Sequence, residues 1–303
     1  MAEDLGAADG ATGVIRNAWT AFRTRERFAL TIGSIIAILL TLWLASTFDI
    51  PQTPRRGGAL LQQPAWPIAM GITWIAVIGC TAVASIVASR THYEGGLFCA
   101  CIGLAALSVR MGPSRFALFQ SNIGAKVYLL FAIELFLIYI AIAIAWLMLR
   151  IWTRWGLITG EPPLTETDPD EPIDQNLLAT AAQVVVMIVL MILLCRTDQK
   201  PQVIAAVGVS SYLAALAAHH YVVTRPSIWF WAGPLVVGVL GYVAQYFSPT
   251  DWMIGDARGS FFFANLARPM PLDYAGVGPA AALLGYWTSQ RWHKSHEMLE
   301  ATA

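Results

Sequence analysis

The chain has 303 residues, of which 57% are hydrophobic and only 13% charged, and its 19 basic and 19 acidic side chains balance to zero. A soluble domain carries about a quarter charged residues, whereas here long stretches carry none. That excludes a soluble enzyme, a disordered chain and a nucleic-acid binder working through a basic surface. An all-α, polytopic transmembrane helical bundle remains.

Residues 1–27 form a polar leader in which Ile15, Trp19 and Phe22 fall at helical spacing among Arg16, Arg23, Arg25 and Arg27. The pattern reads as an interfacial amphipathic helix or as a basic flank that orients the first span. The first apolar run, Phe28–Phe48, is longer than the roughly 7–15 residues of a cleavable signal core, so it is expected to stay as a span.

A bilayer core about 30 Å thick needs about 20 apolar residues per crossing helix. Phe28–Phe48, Trp66–Ser89, Val127–Leu149, Leu177–Cys195, Val203–Val223 and Ile228–Phe247 meet this. Gly95–Val109 (bounded by Glu94 and Arg110) and Tyr274–Gln290 (bounded by Asp273 and Arg291) are short. Each fits a short span with snorkelling ends or a re-entrant segment. Eight spans are expected, with seven as the alternative if Gly95–Val109 is re-entrant. Trp66, Trp152, Trp155, Trp229 and Trp292 sit near run ends, where interfacial aromatic belts place them.

The charge rule for orientation is nearly silent. With a cytoplasmic N-terminus, eight spans leave 10 basic residues inside and 9 outside, and seven spans leave 12 and 7. The four arginines before the first span place the N-terminus in the cytoplasm in either case, and the cytoplasmic membrane is the expected location.

Between the fourth and fifth runs, Gly156 to Asn176 holds six acids, four prolines and no basic residue, the composition of a solvated linker. The chain is thus divided into an N-terminal segment (1–27), a four-span half (28–155), an acidic Pro-rich linker (156–176), a second four-span half (177–290) and a polar tail (291–303). Asp168, Asp170 and Glu171 in the linker lack the glycine turn and terminal Glu of a calcium loop. His92-Tyr93 and His220-Tyr221 echo one another near the second run of each half, a match too short to establish a repeat.

Stripes of small residues supply the expected helix packing: Ala76, Cys80, Ala84 and Ala88; Ala206, Ser210, Ala214 and Ala218; Gly233, Gly238 and Gly241; Gly276, Ala280 and Ala281. Pro234 and Pro279 are expected in the first turns of their helices, where proline is tolerated.

Glu134 is the one charged residue well inside an apolar run, roughly 12 Å along the helix from Lys126 at 1.5 Å per residue. An ionised carboxylate at that depth costs a few kcal/mol unless paired, protonated or hydrated. It is therefore either a proton- or cation-handling group or a lock between helices. Gln183, Ser211, His219 and Gln245 are the polar side chains expected to share a site with it, and Glu134 is expected to face the interior beside Gln183, His219 or Gln245. His219 and His220 point about 100° apart on a helix and do not make a natural ligand pair for one ion.

No H-E-x-x-H, phosphate-binding glycine loop or other catalytic motif occurs. Gly208-Val-Ser210-Ser211 lacks the final glycine of an intramembrane serine-protease signature, so its serines read as packing residues. Cys80, Cys99, Cys101 and Cys195 lie in apolar runs without metal-ligand spacing. No cofactor, metal or nucleic-acid partner is expected. The segment Ser248–Asp273 is apolar for a connector, with Trp252, Met253 and Phe261–Phe263, and is the expected contact for a membrane protein partner. The reading is a non-catalytic membrane subunit or scaffold, then a secondary transporter or channel, and least a membrane enzyme.

Overall fold

The computed structural model describes residues 27–46, 59–63, 65–88, 92–114, 125–157, 173–224, 227–247 and 264–301, with side chains to residue 293. The amphipathic leader, the acidic cluster of the linker and Phe261–Phe263 lie outside the described residues. The helices are α1 (Arg27–Ser46), α2 (Trp66–Ala88), α3 (Gly95–Arg110), α4 (Lys126–Arg154), α5 (Ile173–Leu194), α6 (Lys200–Tyr221), α7 (Ile228–Trp231), α8 (Gly233–Phe247), α9 (Ala264–Ala267) and α10 (Pro271–Ala301). A single 3₁₀ turn, Leu60–Gln62, precedes α2.

The chain is a multi-pass integral membrane protein: α1, α2, α4, α5, α6 and the α7–α8 pair are long and apolar enough to cross a bilayer. α1 and α5 are the most peripheral. On α1 only Gly33, Ala37, Thr41 and Ala45, four residues apart, turn inward, while Ile35, Leu39 and Trp43 on the far face are exposed. On α5 the inward stripe is Ala179, Gln183, Met187 and Met191, with Val185, Val189 and Leu193 outward. Apolar side chains on an outer face at helical period are what lipid contact selects.

The two shortest apolar runs lie in the interior. α3 has 16 residues, roughly 24 Å of helix, and its positions 95–101 are all buried. Gly95 and Gly96 let it meet α2 closely: a Cβ on Gly95 would lie 2.5 Å from the Ala88 carbonyl oxygen, and one on Gly96 2.7 Å from that of Thr81. Cys99 and Gly103 seat it on α1 beside Gly33, Ala37 and Thr41.

α10 is buried on every side through most of 271–289 and packs on α3, α4, α6 and α8. It runs parallel to α6. Lys200 at the start of α6 pairs with Asp273 (2.7 Å), and His219 near its end meets Ser289 (2.8 Å), so the helices stay together for roughly 24 Å. Because protein surrounds α10, it needs no lipid-facing apolar surface. That is why Tyr274, three glycines and Ser289 fit within it.

α10 starts earlier than expected, at Pro271, because proline is favoured at a first helical position and the Asp273 carboxylate accepts the Met270 amide at 2.8 Å. Pro279 consequently lies inside this helix and not in its first turn. Pro234 does fall at a start, where the seventh run breaks into α7 and α8.

The small-residue stripes are buried. Ala76, Cys80, Ala84 and Ala88 are each at most 3% exposed, as are Ala206, Ser210, Ala214 and Ala218. Gly238 lies against Leu135 and Tyr274, and Gly241 against Leu266.

Candidate functional site

Glu134 faces inward and is fully buried, and a backbone amide reaches it. The Leu61 amide donates to its Oε2 at 3.0 Å. The reason lies in the connector before α2. A 3₁₀ turn leaves its first amides unsatisfied, and Ala59 and Leu60 at its start are both buried at 0% exposure. The Gln62 side chain takes the Ala59 amide (3.0 Å), and Glu134 caps the turn at Leu61. Its second oxygen, Oε1, is buried without a hydrogen-bond partner among the described residues.

Gln183 has an equally specific partner. Pro234 has no N–H, so the carbonyl four residues earlier, that of Phe230, loses its helical donor. Gln183 Nε2 donates to this carbonyl at 2.7 Å. The neighbouring Gly233 makes room, since a Cβ there would lie 2.7 Å from the amide group of Gln183. Thr180, one turn earlier on α5, donates to the Trp229 carbonyl at 3.3 Å.

Ser211 donates to Met187 Sδ (3.6 Å), joining α6 to α5. His219 Nδ1 meets Ser289 Oγ, with Tyr286 and Phe230 edge-on to its ring at 4.8 and 5.6 Å. Gln245 is buried on α8. There, Gly238 packs on Leu135, and Tyr242 packs on Phe131 with ring centroids 5.5 Å apart. This antiparallel register carries Gln245 past Glu134 toward Tyr128. Glu134 and His219 lie at opposite ends: Tyr242 donates to the Pro269 carbonyl (2.6 Å), at the end where Lys200 meets Asp273. The five residues do not converge on one point.

Two buried acids that bound the apolar runs emerge as cluster centres. Asp273 pairs with Lys200, and beside it Arg268 contacts Asp198 (3.3 Å) and donates to the Cys195 carbonyl (2.7 Å). Asn265 donates to the Ile192 carbonyl (2.9 Å). These bonds fasten residues 264–273 onto the α5–α6 connection, with Leu266, Ala267, Met270 and Leu272 buried in the chain's own core. The rest of the apolar segment, 248–263, lies outside the described residues.

Glu94 is 1% exposed and immediately precedes α3. Three donors from separate elements meet its Oε1: the adjacent Tyr93 hydroxyl (2.8 Å), Trp146 Nε1 on α4 (3.2 Å) and the hydroxyl of Ser227, just before α7. Burial pushes the Glu94 carboxyl above its ordinary value, and the three donors and nearby His92 offset this only in part. Among the described residues neither Glu94 nor Glu134 forms an ion pair.

The sequence offered one signal for both acids, a carboxylate at a helix start. Among the described residues no group of three or more His, Cys, Asp or Glu side chains is arranged to hold a metal, and the four cysteines are free and buried. Compared with protein-family models, curated proteins and solved structures, the chain matches none.

Proposed function

We propose that this chain crosses the cytoplasmic membrane eight times, N-terminus inside, and acts as a non-catalytic membrane subunit or scaffold. The observation that carries the reading is the dispersal of the polar residues. Glu134 caps the 3₁₀ turn, Gln183 satisfies a proline-orphaned carbonyl, Ser211 joins α6 to α5 and His219 joins α6 to α10. Each serves a local structural need, whereas a translocation path needs such groups to line one route. The eight-crossing count is supported by α10 lying along α6 from one end to the other and by the interior position of α3.

Stoichiometric recovery of a second membrane polypeptide after purification in mild detergent, read by mass spectrometry, is the expected result; recovery of the chain alone overturns the subunit reading. Accessibility tags in the linker and at the C-terminus test the topology. Eight crossings put both on the side of the N-terminus, and a re-entrant α3 moves both to the other side.

One observation favours a second reading, a secondary transporter or channel: Oε1 of Glu134 is buried and lacks a partner among the described residues. On that reading Glu134→Gln abolishes ion-coupled flux in proteoliposomes. On the scaffold reading no flux is present to abolish.

A further inference from the structure

We propose that Glu94 is a proton-binding site at one end of the bundle, and that its occupancy sets how firmly the turn between α6 and α7 is held. The argument begins with geometry. Tyr93, Trp146 and Ser227 come from the α2–α3 connection, α4 and the α6–α7 turn, and all donate to one oxygen. Glu94 is thus the polar joint between the first four-helix half and the second, and Ser227 is the contribution from the far side.

All three donors are neutral. Among the described residues no basic side chain pairs with the carboxylate. Arg150 on α4 lies over the ring of Trp146, 5.2 Å from its centroid. Arg291 on α10 is exposed and donates to His92 Nε2 at 3.2 Å. That bond makes His92 Nε2 an acceptor, since a guanidinium only donates. The His92 ring stacks on Trp287 at 4.6 Å and 7°. His92 is half-buried and lies two residues before Glu94. Of the other described histidines here, His219 faces Ser289 and His293, and His220 stacks on His293 at 5.5 Å.

A buried carboxylate with no countercharge among the described residues is favoured in its neutral form. On ionisation the proton passes to water, and the charge left behind is relieved by hydration, which requires the Ser227 side of the joint to part. In the open state Glu94 regains an ordinary carboxylate value. By linkage, the opening equilibrium then rises up to about tenfold per pH unit between the ordinary value and the higher value of the closed state, and levels off above it.

The test follows hydrogen exchange of residues 222–234 across a pH series in the purified full-length chain in lipid nanodiscs. Each rate is divided by the chemical exchange rate at that pH. Infrared difference spectra track the protonated acid carbonyl in parallel. The expected result is an opening constant that climbs and then plateaus at the pH where the acid band disappears, with Glu94→Gln giving a flat profile and lacking that band. Ser227→Ala and Trp146→Phe each remove a donor that favours the charge, so the plateau moves to higher pH. A flat wild-type profile, the same slope in Glu94→Gln, or an unmoved plateau in the donor variants overturns the proposal. The donor variants decide it if Glu94→Gln fails to fold.

Discussion

Replacing Gln183 with leucine removes the side chain that donates to the Phe230 carbonyl, and the cost depends on a residue 51 positions away. Pro234 took the helical N–H from that carbonyl, and Gln183 Nε2 supplies the substitute at 2.7 Å. A buried carbonyl left without a donor costs about 1–3 kcal/mol, and polar bonds between helices in bilayers average about 0.6 and reach about 1.7. Gln183→Leu should therefore cost about 1–2 kcal/mol. Pro234→Ala restores a backbone donor to Phe230, so in that background the same Gln183→Leu should cost about half a kcal/mol or less. Pro234→Ala also loses contact between its ring and Gly278, but that loss appears on both sides of the double-mutant cycle and cancels. Equilibrium unfolding of the four proteins in mixed micelles gives the coupling term. Equal costs in both backgrounds would show that Gln183 does not stand in for the proline's missing amide.

Lys200→Met leaves Asp273 buried with no countercharge and should cost about 3–5 kcal/mol. The double variant Lys200→Met/Asp273→Asn should recover most of it in the same unfolding assay. Gly285→Ala drives a Cβ into the Tyr212 carbonyl oxygen and should cost about 1–3 kcal/mol, whereas Gly71→Ala, with nothing within 4 Å, should raise stability by about 0.4–1 kcal/mol in parallel melts. Glu94 binds its proton more tightly folded than unfolded, so its stabilisation is complete below the ordinary carboxylate value and is lost as pH rises through the folded value. Unfolding free energy should therefore fall over that window in the wild type, and Glu94→Gln should flatten that segment of the profile.

Most of the bundle was legible because lipid imposes a simple rule on what faces it. α1, α2, α4, α5 and α6 announce themselves as long apolar runs, and their stripes of small residues mark the faces that pack. α3 and α10 were harder because protein covers them, so the requirement for an apolar exterior does not apply and glycine, tyrosine and serine weaken the signal. Glu94 and Asp273 looked like run boundaries, since a charge at a helix end ordinarily marks the water edge. That both are buried follows from contacts with Ser227, 133 positions away, and Lys200, 73 positions away, which no local pattern encodes. For Gln183 half the logic was available: Pro234 leaves the Phe230 carbonyl needing a donor, but only the packing of α5 on α7 and α8 says which side chain supplies it. Glu134 was singled out as needing company, and the donor that reaches it among the described residues is a backbone amide in a connector.

The enclosure of α10 bears on how the protein is made. A segment with so many glycines and hydroxyl groups gains little by leaving the translocation machinery for lipid on its own. On the eight-crossing topology proposed above, it emerges after α1 to α8, so the cradle formed by α3, α6 and α8 can be in place when this post arrives, and insertion and docking become one event. Ribosomes that stall before residue 271 would release a membrane-bound product with an open groove at its centre, a natural substrate for quality-control proteases. Moving the same helix to an early place in the chain should defeat assembly even though every native contact would remain possible.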